Sequence, residues 1–134
     1  MAPFMAFKIA ASGLMVQRLR MNIIASNIAN AETTRTPNGK GPYRRKDIFV
    51  MSVPVKNGIY AVAPVSIIND PRPFRVVYDP DHPDADENGY VKLPNVKPIE
   101  EMINMISAVR AYEANVAVIN NTKSMDLKTL EILR

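Results

Sequence analysis

Apolar residues recur every seven positions at both ends of this chain, and that repeat limits what it can become. Phe7, Leu14, Met21 and Ile28 fall at that spacing, with Ala10, Ile24 and Ala31 beside them. Near the other end Met102, Met105, Val109, Tyr112, Val116 and Ile119 follow the same rhythm. Such a repeat marks a helix that buries one narrow seam against other helices. The ends of an enzyme are seldom its working part. Here the ends carry the strongest pattern, which points to assembly rather than catalysis.

The middle reads differently. Of 11 prolines, ten lie from Pro37 to Pro98. The chain therefore divides into an N-terminal helix within residues 1–34, a proline-rich β-domain with flanking loops over 35–97, and a C-terminal helix over 98–134. The expected fold class is α+β: long terminal helices forming a coiled-coil-like bundle, with a small central β-rich domain.

The first helix is expected from Pro3 to about Ala31. Proline suits a first helical turn, where its missing N–H leaves nothing unpaired. Ser12-Gly13 is a weak point, because glycine costs about 1 kcal/mol against alanine inside a helix. Thr36-Pro37 lies beyond the end, since a residue before proline avoids helical angles. Strands are expected over 43–55 and 59–68, joined at Lys56-Asn57-Gly58, where Asn-Gly accepts the positive φ of a tight hairpin. Pro54 and Pro64 then belong at edges or bulges. Two shorter strands, 74–78 and 89–93, complete a β-domain of about four strands. The second helix begins at Pro98, with Glu100 and Glu101 at the positive end of its dipole. One of its faces, Asn104, Ala108, Ala111, Asn115 and Thr122, is small and polar, which lets another helix come close.

Composition removes several kinds of chemistry. The 134 residues contain no cysteine and a single histidine, His82. Thiolate catalysis, disulfides, a His-rich metal site and a Ser-His-Asp arrangement within one chain are excluded. Asp84, Asp86 and Asn88 imitate the start of a calcium loop, but Asn95 stands where a bidentate glutamate is required. No cofactor, metal or small-molecule substrate is expected, and the chain is not read as an enzyme. Net charge is +4. The basic cluster Arg35, Lys40, Arg44, Arg45 and Lys46 and the acidic cluster Asp79, Asp81, Asp84, Asp86 and Glu87 both read as solvated loops. No apolar run reaches the ~20 residues of a membrane span. Residues 9–16 do not read as a cleaved secretory signal.

Energy bears on the helices. Burying about eight seam residues contributes on the order of 10–25 kcal/mol. Ordering about 28 residues costs roughly 1–2 kcal/mol each for the backbone. A lone terminal helix does not hold itself in place, two pairing with each other come near to breaking even, and several copies together win clearly. The terminal helices are therefore expected to be mobile in the monomer and to order on assembly.

Residues 25–31, Ala-Ser-Asn-Ile-Ala-Asn-Ala, followed by a loop and Tyr43-Arg44, resemble the N-terminal signature of the bacterial flagellar rod and hook proteins. Asn104-Met105-Ile106-Ser107 and Arg110-Ala111-Tyr112-Glu113-Ala114-Asn115 resemble the C-terminal signature of that family. The middle motif, residues 79–86 with Gly89-Tyr90-Val91 and Pro94-Asn95-Val96, and the tail Thr122-Lys123-Ser124-Met125 resemble its proximal-rod members. Pro42 stands where glycine is more usual. The likeness covers essentially the whole chain. It implies a structural subunit of the basal-body rod, a tube with the terminal helices inside and the β-domains outside. It also implies motility, a periplasmic position, and export by the flagellar type III apparatus without signal cleavage. The implied partners are other rod proteins, the adapter at the rod base and copies of the same chain, with no nucleic acid.

Phe7, Leu14, Met21, Ser26, Asn27, Ile28, Asn30, Met102, Met105, Val109, Tyr112, Asn115, Val116 and Ile119 are the candidate assembly residues. Asn27 and Asn30 have two readings. A buried amide that pairs across helices fixes register, so they would set the stagger between subunits. Alternatively they cap the helix end into the following loop. Tyr112 reads as a half-buried packing residue, and Arg110 as a partner for a carboxylate or carbonyl on a neighbour. Other readings are a small nucleic-acid-binding module using Arg44, Arg45 and Lys46 beside Tyr43, which predicts steep salt dependence, or a generic coiled-coil interaction module.

Overall fold

The computed structural model describes residues 2–39 and 41–134. Lys40, counted in the basic cluster, lies outside them. The element order is α1 (Ala2–Ala29), β1 (Lys46–Lys56), β2 (Ile59–Asn69), β3 (Arg75–Tyr78), β4 (Tyr90–Leu93) and α2 (Pro98–Ile132). Two long helices flank a small β region, the α+β class expected. Both helices begin where the prolines put them: Pro3 falls in the first turn of α1, and Pro98 opens α2.

The hairpin forms at Asn57-Gly58. Both residues have positive φ, 46° and 79°, the pairing that a two-residue turn requires to match strand twist. Four strands appear, but as two separate two-stranded ribbons, β1-β2 and β3-β4. The division has a local cause. Pro71 and Pro73, which lack an N–H, interrupt the segment between β2 and β3 and cannot continue a ladder. β3 and β4 run antiparallel, with Val77 opposite Val91 and Tyr78 opposite Tyr90. The Tyr78 and Tyr90 rings meet edge-on, with centroids 5.3 Å apart.

The chain forms two compact units, and each long helix contributes to both. The tip unit comprises α1 up to Met21, the segment Ile48–Ser66 and the segment Ile106–Arg134. The junction unit comprises Asn22–Asp47 and Ile67–Met105.

In the tip unit α1 and α2 pack antiparallel through small residues. A Cβ added to Gly13 would lie 2.8 Å from the side-chain amide of Asn115. The glycine that weakens the helix in isolation is thus a point where the partner helix comes close. Beside it, the Ser12 hydroxyl donates to the Ile9 carbonyl at 2.6 Å and accepts the Val62 N–H at 3.3 Å, which ties β2 to α1. The buried residues here are small: Ala10, Val16, Ala108 and Thr122.

The junction unit has a fuller interior. Ile23, Ile24, Ala31, Tyr43, Val91 and Val96 are buried, and Ala31, Tyr43 and Val96 cluster together. Buried among its elements are also Asn27, Asn95 and Glu101.

Candidate functional site

The last turns of α1 carry the Ser-Asn-x-Ala-Asn element, and there side chains add to the backbone bonds of the helix end. Asn30 Nδ2 donates to the Ser26 carbonyl at 2.8 Å, and Thr33 Oγ1 donates to Asn30 Oδ1 at 3.1 Å. The next segment folds back: the Tyr43 N–H donates to the Thr33 carbonyl at 3.0 Å.

Asn27 is completely buried. Its Oδ1 accepts the Lys46 N–H at 3.0 Å and the Tyr43 hydroxyl at 2.9 Å. Its Nδ2 donates to the Lys46 carbonyl at 2.9 Å and to Glu101 Oε2 at 3.1 Å. An amide has two donor hydrogens and one oxygen with two lone pairs, so the side chain is saturated inside its own subunit. Asn27 is thus satisfied inside its own subunit, and Asn30 bonds Ser26 and Thr33 while keeping one donor hydrogen and one acceptor lone pair. The bonds seen favour the reading of a polar helix end locked to the following loop.

Glu101, in the first turn of α2, is also fully buried. Its Oε1 accepts Arg45 Nε at 2.5 Å. Arg45 further contacts Asp47 and Asp70, each at 3.3 Å. Burial draws the Arg45 pKa down, but the bond to Glu101 and its charge, with Asp47 adding, outweigh it and raise the pKa above the ordinary arginine value. Asn95 closes the arrangement. Its Oδ1 accepts the Arg45 N–H at 2.7 Å, and its Nδ2 donates to the carbonyls of Asp70 and Arg72. The Arg72 guanidinium grips Asp70 at 2.8 Å, and this bond holds the Asp70 carboxyl below its ordinary range. Arg44 donates to the carbonyls of Asp70 and Arg72 and lies 4.2 Å over the Phe74 ring.

The basic cluster is therefore not a solvated loop, which corrects the earlier reading. Arg44 and Arg45 are held by carbonyls, an aromatic face and carboxylates. Arg35 binds Asp84 of the acidic cluster at 2.7 Å. Asp84 also accepts the Thr34 hydroxyl at 2.5 Å, and that bond, followed by the one from Arg35, lowers its pKa. Local charge density could not reveal these partners, because all but Asp47 lie 25 to 56 residues away in sequence. The nucleic-acid reading loses its basis for the same reason, since two of its three cations are engaged internally.

The helix faces complete the picture. Along α2 the residues most removed from solvent include Glu101, Ala108 and Thr122, with Asn115 half-buried on the same line. Seven-residue spacing is present, but the line that packs inside the subunit is small and polar. Among the large apolar candidates, Phe7 is 46% exposed, Met102 53% and Val109 36%. Leu14, Met21, Ile28, Met105, Tyr112, Val116 and Ile119 are half-buried, and Ser26 is exposed with its hydroxyl 3.3 Å from that of Tyr43. Phe4, Met15, Ile99, Ile103 and Ile106 are exposed as well. In the tip unit a groove of about 600 Å³ opens between Phe4 and Phe7 of α1 and Ile119, Leu127 and Leu130 of α2. Glu101, Arg45, Tyr43 and Asn95 were missed as site residues. The seven-residue line Glu101, Ala108, Asn115, Thr122 was the available signal for the first of them.

Comparison with known proteins places the chain in a family. Residues 7–35 match the family described as flagella basal body rod protein, and residues 87–132 match flagellar basal body rod FlgEFG protein C-terminal. The flagellar basal-body rod protein FlgC of Borreliella burgdorferi is 46% identical, over 100% of this chain and 99% of its own. That of Salmonella typhimurium is 44% identical over 98% of each chain, and that of Bacillus subtilis 40% identical over 98% of this chain and 99% of its own. Such likeness, end to end and through both terminal signatures, shows that the chain belongs to the FlgC family of flagellar basal-body rod proteins, structural subunits of the rod.

Proposed function

We propose that the chain acts by packing the exposed apolar faces of α1 and α2 against neighbouring rod subunits, including copies of itself, in the proximal part of the rod. The carrying observation is the pair Met102 and Val109, 53% and 36% exposed one seven-residue repeat apart on α2. Burying a side chain of this kind contributes roughly 1.5–3 kcal/mol. A handful on each subunit, repeated around a tube, suffices to drive association. Phe7, Leu14, Met21, Ser26, Ile28, Met105, Tyr112, Asn115, Val116 and Ile119 complete the proposed contact region.

The finer reading follows the resemblance. The rod lies in the periplasm and transmits torque. The subunit is exported by the flagellar type III apparatus without signal cleavage, meets the adapter at the rod base, and carries no catalytic activity. Among the described residues no helix is long and apolar enough to cross a membrane. Electron microscopy of the purified chain mixed with its rod partners tests the proposal. Short tubes are expected, and their absence under conditions that assemble the other rod proteins would count against it.

A further inference from the structure

The two compact units differ in kind, and the difference lies in what each buries. The tip unit hides only small groups, Ala10, Val16, Ala108 and Thr122. Many of its larger apolar side chains are turned outward, and others, such as Leu14, Tyr112, Val116 and Ile119, are only half-buried. Phe4, Phe7 and Met15 on α1, and Val118, Met125 and Leu130 on α2, are all exposed, as are Phe49, Met51 and Val62 of its hairpin. It also contains a buried acceptor, Gln17 Oε1, that meets no donor among the described residues. Such an orphan costs about 1–3 kcal/mol. A two-stranded hairpin adds little stability by itself.

The junction unit hides Ile23, Ile24, Tyr43, Val91 and Val96 around a polar centre. Asn27, Arg45 and Glu101 join the end of α1, the start of β1 and the first turn of α2, with each buried donor and acceptor of Asn27 matched. A buried polar network rigidifies its surroundings when every member is satisfied.

We infer that Asn27, Arg45 and Glu101 form an internal clamp that keeps the junction unit folded in the lone subunit. The boundary between pre-folded and assembly-ordered structure then falls inside each helix, near Met21 in α1 and near Met105 in α2, not at the helix ends. The Asn27 and Glu101 side chains are sealed within this unit, so their bonds hold the junction unit itself. The ordering of the tips by neighbours rests on the assembly reading above; the clamp does not.

Amide hydrogen exchange on the full-length monomer, read by mass spectrometry, tests this. Exchange reports local opening free energy. Amides within 24–31, 45–47 and 101–105 are expected to exchange about a hundredfold more slowly than those within 5–15 and 110–132. Glu101→Gln sets an amide donor against one of its two donors, Asn27 Nδ2 or Arg45 Nε, and Asn27→Asp places a carboxylate against the Lys46 carbonyl. Each is expected to speed exchange in the junction at least tenfold and leave the tips unchanged. Tyr43→Phe removes only the hydroxyl that Asn27 accepts, so it is the mild variant, with about a fivefold effect confined to the junction. Equal protection along the whole of both helices would overturn the inference. So would junction exchange that none of the three variants changes, or a Tyr43→Phe effect spread evenly over both units. A chain with the expected pattern that never forms tubes would sink the rod reading and leave the clamp standing.

Discussion

Arg45 donates its Nε hydrogen to the carboxylate of Glu101 across 2.5 Å, and the Glu101 side chain is wholly shielded from solvent. The two residues are 56 positions apart in sequence. Removing one partner of such a pair leaves a buried charge uncompensated, which typically costs 3–5 kcal/mol. Glu101→Ala is expected to lower the unfolding free energy by about that amount, and Arg45→Met similarly. The double variant should lose clearly less than the sum of the two. Urea denaturation of all four proteins measures this. Additive losses would mean that the two side chains do not depend on each other.

Gly13 and Asn115 make a second measurable pair. Alanine at position 13 gains about 1 kcal/mol of helix propensity, but its Cβ would meet the Asn115 amide at 2.8 Å. Gly13→Ala alone is expected to be neutral or to destabilise by about 1–2 kcal/mol. In an Asn115→Ala background the same change should stabilise by roughly 1 kcal/mol. Thermal melts of tubes assembled from each of the four proteins show whether the sign reverses, since this unit orders on assembly. The same sign in both backgrounds would mean that the helices do not cross at these residues.

Acid should weaken the subunit through Asp70 and Asp84. Both carboxyls sit below the ordinary value of 3.8 in the folded chain, Asp70 chiefly through its bond from Arg72 and Asp84 chiefly through that from Thr34. A group whose pKa is lower when folded adds stability that is complete above its unfolded value and is lost as pH falls through the folded one. Stability should therefore hold down to about pH 4–5 and decline below that. Asp70→Asn should be less stable than the parent at pH 6 and show a shallower decline in acid. Unfolding curves at pH 6 and pH 3 check it. A parallel decline in parent and variant would mean that other carboxylates dominate.

The outward faces and the inward line of α2 should respond differently to substitution. Met102→Asp and Val109→Asp change exposed positions, so circular dichroism of the subunit should be unchanged while swimming is abolished. Ala108→Leu crowds a site with no exposure and should disturb the α1–α2 packing of the tip unit by about 1–3 kcal/mol, read as a lower melting temperature of the assembled tubes. Normal swimming in the Val109→Asp strain would remove that residue from the assembly surface.

Much of the architecture was legible in the residues. Pro98 with Glu100 and Glu101 marks the start of α2, Asn57-Gly58 marks the hairpin, and alternating apolar residues mark its strands, because all of these are signals read over a few neighbouring positions. The small polar face of α2 was legible too, and it is the face buried in the subunit. Among the larger apolar residues of the repeat, Met102, Phe7 and Val109 are left exposed and the others half-buried. Periodicity reveals that a face exists but not what covers it.

The sequence by itself determined two long helices, the turns between the strands, and a repeat suited to association, since helix periods, proline and Asn-Gly act locally. Only the tertiary structure decided that Asn27, Arg45 and Glu101 meet, that a loop rich in cations is an internal junction, and that Gly13 is a contact point. Those outcomes depend on long-range pairing of charges and amides out of water. In that setting a partner tens of residues distant determines whether a polar side chain is solvated or sealed inside.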